Sequence, residues 1–356
     1  MNAWPDRRIL DLFGIESPII LAPMAGPGTA ALAIAVSEAG GLGSLPCAQL
    51  SGTEIRTAIE TIRRSTSRPI NINFFCHTSP IFDRERELAW RALLKPYYLE
   101  LGLDPEAPLA PPSRKPFDPE SCALIEEFKP EVVSFHFGLP AQNLLDRVKA
   151  VNARVISSAT TVREARWLQA HGCDAIIAMG FEAGGHRGTF LSDDMARQVG
   201  TFALVPQIVD AIKVPVIAAG GIADARGIVA ALALGASAVQ IGTAYLFCPE
   251  AHVPPLHLEA LTNAADDDTM ITNVFTGRPA RGIANRLMLE VGPMASTVPN
   301  FPLASSAVGP LRAKSEQTGS RDFMNLWSGQ AARLARRNVP AGEKTRALAS
   351  EALARL

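Results

Sequence analysis

Eight short apolar runs, the helix-like stretches between them and a length of 356 residues predict an α/β fold, a (β/α)₈ TIM-type barrel. Strands that alternate with helices pair in parallel through crossovers, and eight such units in about 250 residues match the size of a barrel. Helical patterns at 30–39, 54–64, 142–151, 162–171 and 225–234 separate most of the runs. The runs themselves are bounded by Gly, Pro or polar residues and lie at 18–23, 41–45, 70–75, 132–135, 154–157, 175–179, 214–219 and 238–241.

The residues beyond eight units fall in two segments. Residues 76–130 are too long for one crossover and contain the proline-rich DPEAPLAPPSRKPFDP, which indicates a surface excursion or lid after the third strand. Residues 251–356 contain FTGRPARGIANR and an Arg/Ala-rich helical end, and we expect an appended cap rather than a second core. The predicted division is a barrel over 1–250, with the insertion at about 76–130, and a C-terminal extension over 251–356 packed on the barrel.

Composition and charge favour a small-molecule partner. The chain is 47% hydrophobic and 19% charged, which suits a globular core and argues against disorder. Thirty-four Lys and Arg against thirty-five Asp and Glu leave a net charge of −1, so no global field attracts nucleic acid or an anionic membrane. The cluster Arg333, Arg336 and Arg337 is accordingly interpreted as a solvated helix face.

The cysteines and the N-terminal sequence predict a cytoplasmic protein. Five widely spaced cysteines without a CxxC pair argue against a disulfide framework or a structural zinc site. The start, MNAWPDRRILDLFG, lacks the apolar region of a secretory signal. Two uncharged stretches, 17–37 and 228–249, are interrupted by Pro, Gly or Gln, so they favour buried strands and helices over membrane spans.

The segments after the predicted strands carry the candidate site, because a parallel barrel places its reactive face at the carboxyl ends of its strands. Glycines and neutral polar groups dominate there. Gly220-Gly221 and Gly242-Thr243 follow the seventh and eighth strands, where such barrels commonly bind phosphate through backbone N–H groups. Two adjacent glycine-rich loops in these places favour a phosphate site over tight turns alone.

His186 is the candidate catalytic residue. It lies in EAGGHRG after the sixth strand, and the flanking glycines predict a flexible or sharply turned loop at the mouth of the barrel. An imidazole there can transfer protons near neutral pH, although a loop histidine can also simply bind a carbonyl. His136, in SFHFG after the fourth strand, is either a substrate contact or a satisfied core histidine.

The remaining histidines and cysteines receive structural interpretations. Cys76 and Cys248 are expected to be small buried hydrophobes rather than nucleophiles. Structural roles are also expected for His77, His171, His252 and His257.

Other site types fit the sequence poorly. GPGTAA at 26–31 matches a GxGxxA dinucleotide motif, but the second strand ends in Ser44 and Leu45 instead of the acidic residue that holds the ribose. The Ala-Gly-Gly between Glu182 and His186 makes a helical metal pair unfavourable, and we expect no metal.

Seven motifs in chain order resemble the nitronate monooxygenases, also called 2-nitropropane dioxygenases: PIILAPMAG, GGLGSL, NINFF, SFHFG, GFEAGGHRG, PVIAAGGIAD and AVQIGTAYL. GRPAR and WSGQ at 327–330 also look like that family's C-terminal segment. EAGGHRG followed by AAGGI and QIGT is the specific combination. The resemblance implies an FMN-binding barrel that oxidises nitronates or nitroalkanes with O₂ to a carbonyl compound and nitrite.

The resemblance also implies residue roles. His186 matches the family's catalytic histidine, a base for the α-proton of a neutral nitroalkane. His136 is assigned to substrate binding on its position after the fourth strand and not on the resemblance. The residues assigned to FMN are Pro23, Met24, Asn73, Ser158, Gly184, Gly185, Gly220, Gly221, Gln240, Gly242 and Thr243.

Two departures and two further hypotheses accompany this assignment. Met179 stands where many members have Gln or Glu, and Ser158 stands where some have a Lys that could stabilise the reduced flavin. A related FMN barrel that reduces enoyl thioesters with NAD(P)H shares the barrel and the glycine loops. The third hypothesis is a non-catalytic flavin- or nucleotide-binding protein in which His186 is incidental. The physiological substrate and a possible homo-oligomer stay open at this point.

Overall fold

The computed structural model describes residues 4–356, and its centre is a closed parallel barrel. Eight strands follow one another in the order β1-β9-β8-β6-β5-β4-β3-β2, and Leu42 N donates to Ile19 O at 2.9 Å to join the two ends. The predicted barrel and all eight strand positions are confirmed. In chain order the strands are β1 (Ile19–Leu21), β2 (Gly43–Pro46), β3 (Ile70–Phe75), β4 (Val132–His136), β5 (Arg154–Ala159), β6 (Ala175–Met179), β7 (Gly185–His186), β8 (Val216–Ala219), β9 (Ala238–Ile241), β10 (Thr269–Thr272) and β11 (Ala280–Ile283).

Helices connect the strands and form the outer layer. Short polar side chains begin several of them: Ser51 and Glu54 form a capping box, and Asp118 accepts the Ser121 N–H at 2.8 Å. The α-helices are α1 (Arg8–Phe13), α2 (Ala30–Glu38), α3 (Gly52–Ser65), α4 (Arg84–Glu100), α5 (Pro119–Phe128), α6 (Gln142–Ala150), α7 (Val162–Ala170), α8 (Thr201–Ala211), α9 (Ala225–Ala233), α10 (Pro255–Asn263), α11 (Arg286–Val291), α12 (Ala304–Gln317) and α13 (Ala341–Leu353). Short 3₁₀ turns lie at Met195–Arg197, Thr243–Phe247 and Ala332–Leu334.

Helix α1 closes the end of the barrel opposite the predicted site. Its apolar residues Ile9, Leu10 and Phe13 join one buried cluster with inward-facing strand residues such as Ile156 and Ile217. Branched side chains fill the interior of such barrels, so this end is a packed core. The interior of the barrel is therefore accessible to a ligand only from the carboxyl ends of the strands.

The insertion and the C-terminal extension share a second hydrophobic core. Trp90 and Leu94 of α4 are fully buried and cluster with Val308 and Leu311 of α12 and with Phe323. The extension thus takes part in a second hydrophobic core that it shares with the insertion, and its description as an appended cap stays a prediction. A helix from residues 84–100 can complete this core because α4 packs directly against α12.

The last helix completes the outer layer of the barrel. Helix α13 packs against α2 and α9, and Leu348 and Ala352 are buried in the main core. Lys344 on the same helix is buried and donates to Arg336 O at 2.8 Å and to Ala244 O. A boundary at residue 250 stays a prediction, and this helix is the part of the predicted extension that packs as a barrel helix.

The structure also bears on the predictions for the C-terminal arginine cluster and for the two uncharged stretches. Arg333, Arg336 and Arg337 are exposed, as expected, but they lie in a 3₁₀ turn and the loop after it instead of on a helix face. Across residues 4–356, no helix is both long and apolar enough to cross a membrane. Stretches 17–37 and 228–249 form barrel strands and helices, as the sequence predicts.

Candidate active site

A cavity of about 590 Å³ opens at the carboxyl ends of the barrel strands. Backbone and side chains from every part of the predicted mouth contribute to its wall, including the loops after β1, β6, β8 and β9. Every predicted site residue lines this one cavity: Pro23, Met24, Asn73, His136, Ser158, Gly184, Gly185, His186, Gly220, Gly221, Gln240, Gly242 and Thr243.

His186 lies on a short strand that the C-terminal extension fixes in place. Strand β7 pairs antiparallel with β11, with His186 opposite Ala280. Gly185 has φ +71°, a conformation that glycine adopts without strain, so the predicted sharp turn is present there. Ala280 belongs to FTGRPARGIANR and supplies a pairing partner for His186 that the local sequence does not reveal.

The hydrogen bonds of His186 define its tautomer. Thr276 Oγ1 donates to the Arg278 carbonyl at 3.4 Å, so it accepts from His186 Nε2–H at 2.9 Å. We assign the ring proton to Nε2 on this network, which makes Nδ1 the nitrogen that can accept a proton. In this tautomer the imidazole can act as a base through Nδ1.

The surroundings of His186 hold it neutral. Burial and then the positive charge of Arg114, followed by His136 and Arg278, lower its pKa well below the usual 6.5. Four aromatic rings surround the imidazole, with centroid distances of 5.3 to 6.1 Å, and reduce its contact with solvent. These rings are Phe75, Phe137, Phe301 and Trp327.

His136 supports His186 through its main chain. His136 Nε2 donates to the His186 carbonyl at 3.1 Å, and Nδ1 accepts from the Ser158 hydroxyl at 2.6 Å. Burial lowers the pKa of His136 to about 3, so this ring is also neutral. Both nitrogens have protein partners, and a hydrogen bond to substrate would replace one of them.

Arg187 anchors the loop that carries His186. Its side chain is fully buried and donates to Met179 O at 3.0 Å, to Gly180 O at 2.8 Å and to Gln198 Oε1. Burial lowers its pKa to about 10, so the guanidinium is still charged at neutral pH. The arginine of GGHRG thus ties the loop to the end of β6, a role that the sequence analysis did not assign.

The glycines at the opposite side of the cavity allow close backbone approach. Gly220 and Gly221 have φ of +109° and +70°, which non-glycine residues rarely adopt. A Cβ on Gly184 would lie 2.4 Å from the Gly329 amide nitrogen, so only glycine fits there. Gly329 N donates to Thr243 Oγ1 at 2.9 Å and joins the WSGQ segment to the loop after β9.

Two amide side chains in the wall have unused hydrogen-bonding capacity. Gln240 Oε1 is buried and has no partner within residues 4–356, although the residue lines the cavity. Asn73 Nδ2 donates to Ser134 Oγ at 2.9 Å, which leaves its carbonyl oxygen as an acceptor. A buried amide oxygen without a partner is costly, and a polar ligand in the cavity would satisfy it.

Comparison with known proteins identifies the family. The Nitronate monooxygenase family matches residues 6–351. This chain belongs to the nitronate monooxygenase family. It is 42% identical over 346 residues to a nitronate monooxygenase of Pseudomonas aeruginosa, covering 97% of this chain and 98% of that protein.

Solved structures agree with the family assignment. Nitroalkane oxidase from Streptomyces ansochromogenes superposes with a TM-score of 0.87 at 36% identity, over 97% of both chains. FabK from Thermotoga maritima gives a TM-score of 0.73 at 29% identity, over 97% of this chain and 95% of that one. The chain is therefore an enzyme, a flavin-dependent oxidoreductase of the nitronate monooxygenase family.

The cavity fits the flavin that this family uses. Gln240 offers an unpaired amide oxygen, Asn73 offers another, and the backbone at Gly184, Gly220 and Gly221 is open to close approach. The volume of about 590 Å³ lies in the range of cofactor sites. Within residues 4–356, no group of three or more His, Cys, Asp or Glu could hold a metal ion.

Several wall residues of this nitronate monooxygenase family member escaped the sequence analysis. Arg114 comes from the proline-rich insertion, and Trp327 and Gly329 come from the WSGQ segment, whose likeness to the family was the available signal. His252 and His257 also line the cavity, and His257 Nε2 donates to Trp327 O at 3.1 Å.

The cysteines and the other histidines that were expected to be structural differ in their burial and in their partners. Cys248 is buried as expected, whereas Cys76 is only half-buried, and burial raises the pKa of both thiols. His77 is buried, but its Nδ1 has no partner within the described residues. His171 is exposed and stacks on Trp167 at 3.8 Å.

Proposed function

We propose that this chain binds FMN and oxidises alkyl nitronates, and neutral nitroalkanes after deprotonation, with O₂ to a carbonyl compound and nitrite. The observation that carries the proposal is the meeting of a neutral imidazole base with glycine-rich loops and an unpaired Gln240 oxygen in one cavity. FMN supplies the redox chemistry when it is bound. The chain would position the reactants and supply a base.

His186 is the proposed base for neutral nitroalkanes. Nδ1 would take the α-proton while Thr276 holds Nε2–H and fixes the ring. The lowered pKa keeps the imidazole unprotonated at neutral pH, so the base is available without prior loss of a proton. A substrate that arrives as a nitronate has already lost this proton and needs no base.

The proposed FMN contacts divide by chemistry. Gly220, Gly221, Gly242 and Thr243 would hold the phosphate through backbone N–H groups and a hydroxyl. The other contacts would lie along the flavin and ribityl chain: Pro23, Met24, Asn73, Ser158, Gly184, Gly185 and Gln240. His136 is proposed to contact substrate beside His186.

Purification and turnover test the proposal together. Heat denaturation of the purified enzyme should release one FMN per chain, identified by chromatography. Nitroethane or its nitronate should give nitrite only when O₂ is present. Protein that retains no flavin, or that binds flavin and releases no nitrite, would contradict it. We expect the enzyme in the cytoplasm, on the sequence features given above.

A further inference from the structure

Arg114 brings an unusual charge to the cavity wall. It lies in the segment between α4 and α5, part of the proline-rich insertion, and it lines the cavity with Ser113. Its positive charge lowers the pKa of His186 and of His77. The guanidinium therefore lies on the His186 side of the cavity.

One nitrogen of the Arg114 guanidinium, Nε, has no hydrogen-bond partner in the described part of the chain. Arg114 Nε is shielded from solvent and has no hydrogen-bond acceptor within residues 4–356. Burial lowers the pKa of Arg114 to about 10, and the second largest cause of this decrease is the positive charge of Arg312. Arg114 is partly buried, and at neutral pH it is charged with an unpaired Nε–H, so an anion bound in the cavity would stabilise it.

The acidic side chains of the wall do not fill this role. Glu182 accepts from Thr201 N and Oγ1 at 2.8 Å, and Glu316 lies 3.8 Å from Arg312 Nε. These are the carboxylates that line the cavity within the described residues, and both have other partners. No carboxylate of the described wall is thus left to pair with Arg114, and a ligand that carries an anionic group could do so.

We propose that Arg114 is a specificity-determining residue that binds an anionic group of the substrate. This inference rests on the proposed function, because that function supplies an anionic substrate on the His186 side. The FMN phosphate is proposed to bind the glycine loops after β8 and β9, so it does not need Arg114. The anionic group is either the nitronate itself or a carboxylate at the other end of the same molecule, and both match the planar fork of a guanidinium.

The test compares Arg114→Gln with wild type on three substrates: ethyl nitronate with one anionic group, propionate 3-nitronate with two, and neutral nitroethane. A charge-assisted hydrogen bond is strong enough that its loss should raise KM by about tenfold or more. The KM for nitroethane should stay unchanged. Arg114→Lys, which keeps the charge without the fork, should give an intermediate KM.

Each outcome decides one part of the inference. A rise in KM for both nitronates assigns Arg114 to the nitronate oxygens, and a rise for propionate 3-nitronate alone assigns it to the carboxylate. Unchanged KM for both nitronates in a variant that retains FMN would overturn the inference, and so would loss of FMN. Arg84→Gln is the matched control, because it removes the charge of an exposed arginine in the same insertion. A wild-type protein without nitronate turnover would instead refute the proposed function.

Discussion

Replacement of His186 separates two chemical tasks of the cavity. In His186→Asn the side chain has no nitrogen that accepts a proton, and its shorter amide does not reach the position from which His186 Nε2 donates to Thr276 Oγ1 at 2.9 Å. Neutral nitroethane needs that acceptor, whereas ethyl nitronate does not. We therefore expect a large loss of kcat/KM with nitroethane and a small one with the nitronate.

The magnitude follows from the role of the base. General base catalysis contributes about 10²- to 10⁴-fold, which corresponds to about 3 to 5 kcal/mol of transition-state stabilisation. The loss with ethyl nitronate should stay below about tenfold, since for this substrate the substitution affects only positioning.

The pH dependence gives an independent check with a definite sign. The pKa of His186 is lowered, so the neutral base is present above that pKa and is lost as the pH falls through it. The wild-type rate with nitroethane should therefore be flat near neutrality and decrease only on the acid side of 6.5. This acid limb should be absent in His186→Asn.

Nitrite release measured with both substrates at equal FMN content is the assay. His171→Asn is the matched control, because this exposed histidine stacks on Trp167 outside the cavity wall. Equal losses with nitroethane and ethyl nitronate would refute the assignment of His186 as a base. So would full activity of His186→Asn with nitroethane.

Four further predictions follow from the same contacts. Thr276→Val removes one neutral hydrogen bond from the catalytic ring, so kcat/KM with nitroethane should fall about fivefold while that with ethyl nitronate is unchanged. Gly184→Ala places a Cβ 2.4 Å from a backbone nitrogen and should yield protein without FMN, whereas Gly309→Ala, with no atom within 4 Å, should retain it; absorbance of the purified variants decides. Leu94→Ala should lower the free energy of unfolding by about 2 to 5 kcal/mol in urea titration, and Leu93→Ala, on the exposed side of α4, by much less. Stability should also fall from pH 7 to pH 5, by about 2 kcal/mol per buried histidine whose pKa is lowered, because the unfolded chain binds these protons first; flat stability over this range would contradict the assignment for His77, His136 and His257.

The barrel was predictable because its signals are local. Each strand is a short apolar run, as in 70–75 and 175–179, and each is followed by a glycine or polar group that the reactive face requires. Strands that are buried on both faces give continuous apolar runs, which are easily recognised. The glycine loops and His186 could then be assigned to one face from topology alone.

The unpredicted features depend on contacts between distant residues. Trp90 packs with Val308, and His186 pairs with Ala280, across separations that periodicity does not encode. Arg114 is one arginine in a proline-rich segment, and nothing in its neighbours indicates that it reaches the cavity. The sequence therefore identifies the scaffold and the proposed base more readily than Arg114, the residue proposed to select the substrate.

Anaerobic mixing of the purified protein with propionate 3-nitronate, and separately with NADH and NADPH, tests the central claim most directly. We predict that the nitronate changes the flavin absorbance before oxygen is admitted, that oxygen then restores it with release of nitrite, and that neither nicotinamide bleaches it rapidly. Rapid bleaching by NADH or NADPH, followed by reoxidation with an enoyl thioester and no response to the nitronate, would contradict the account and assign the cavity to a reductase.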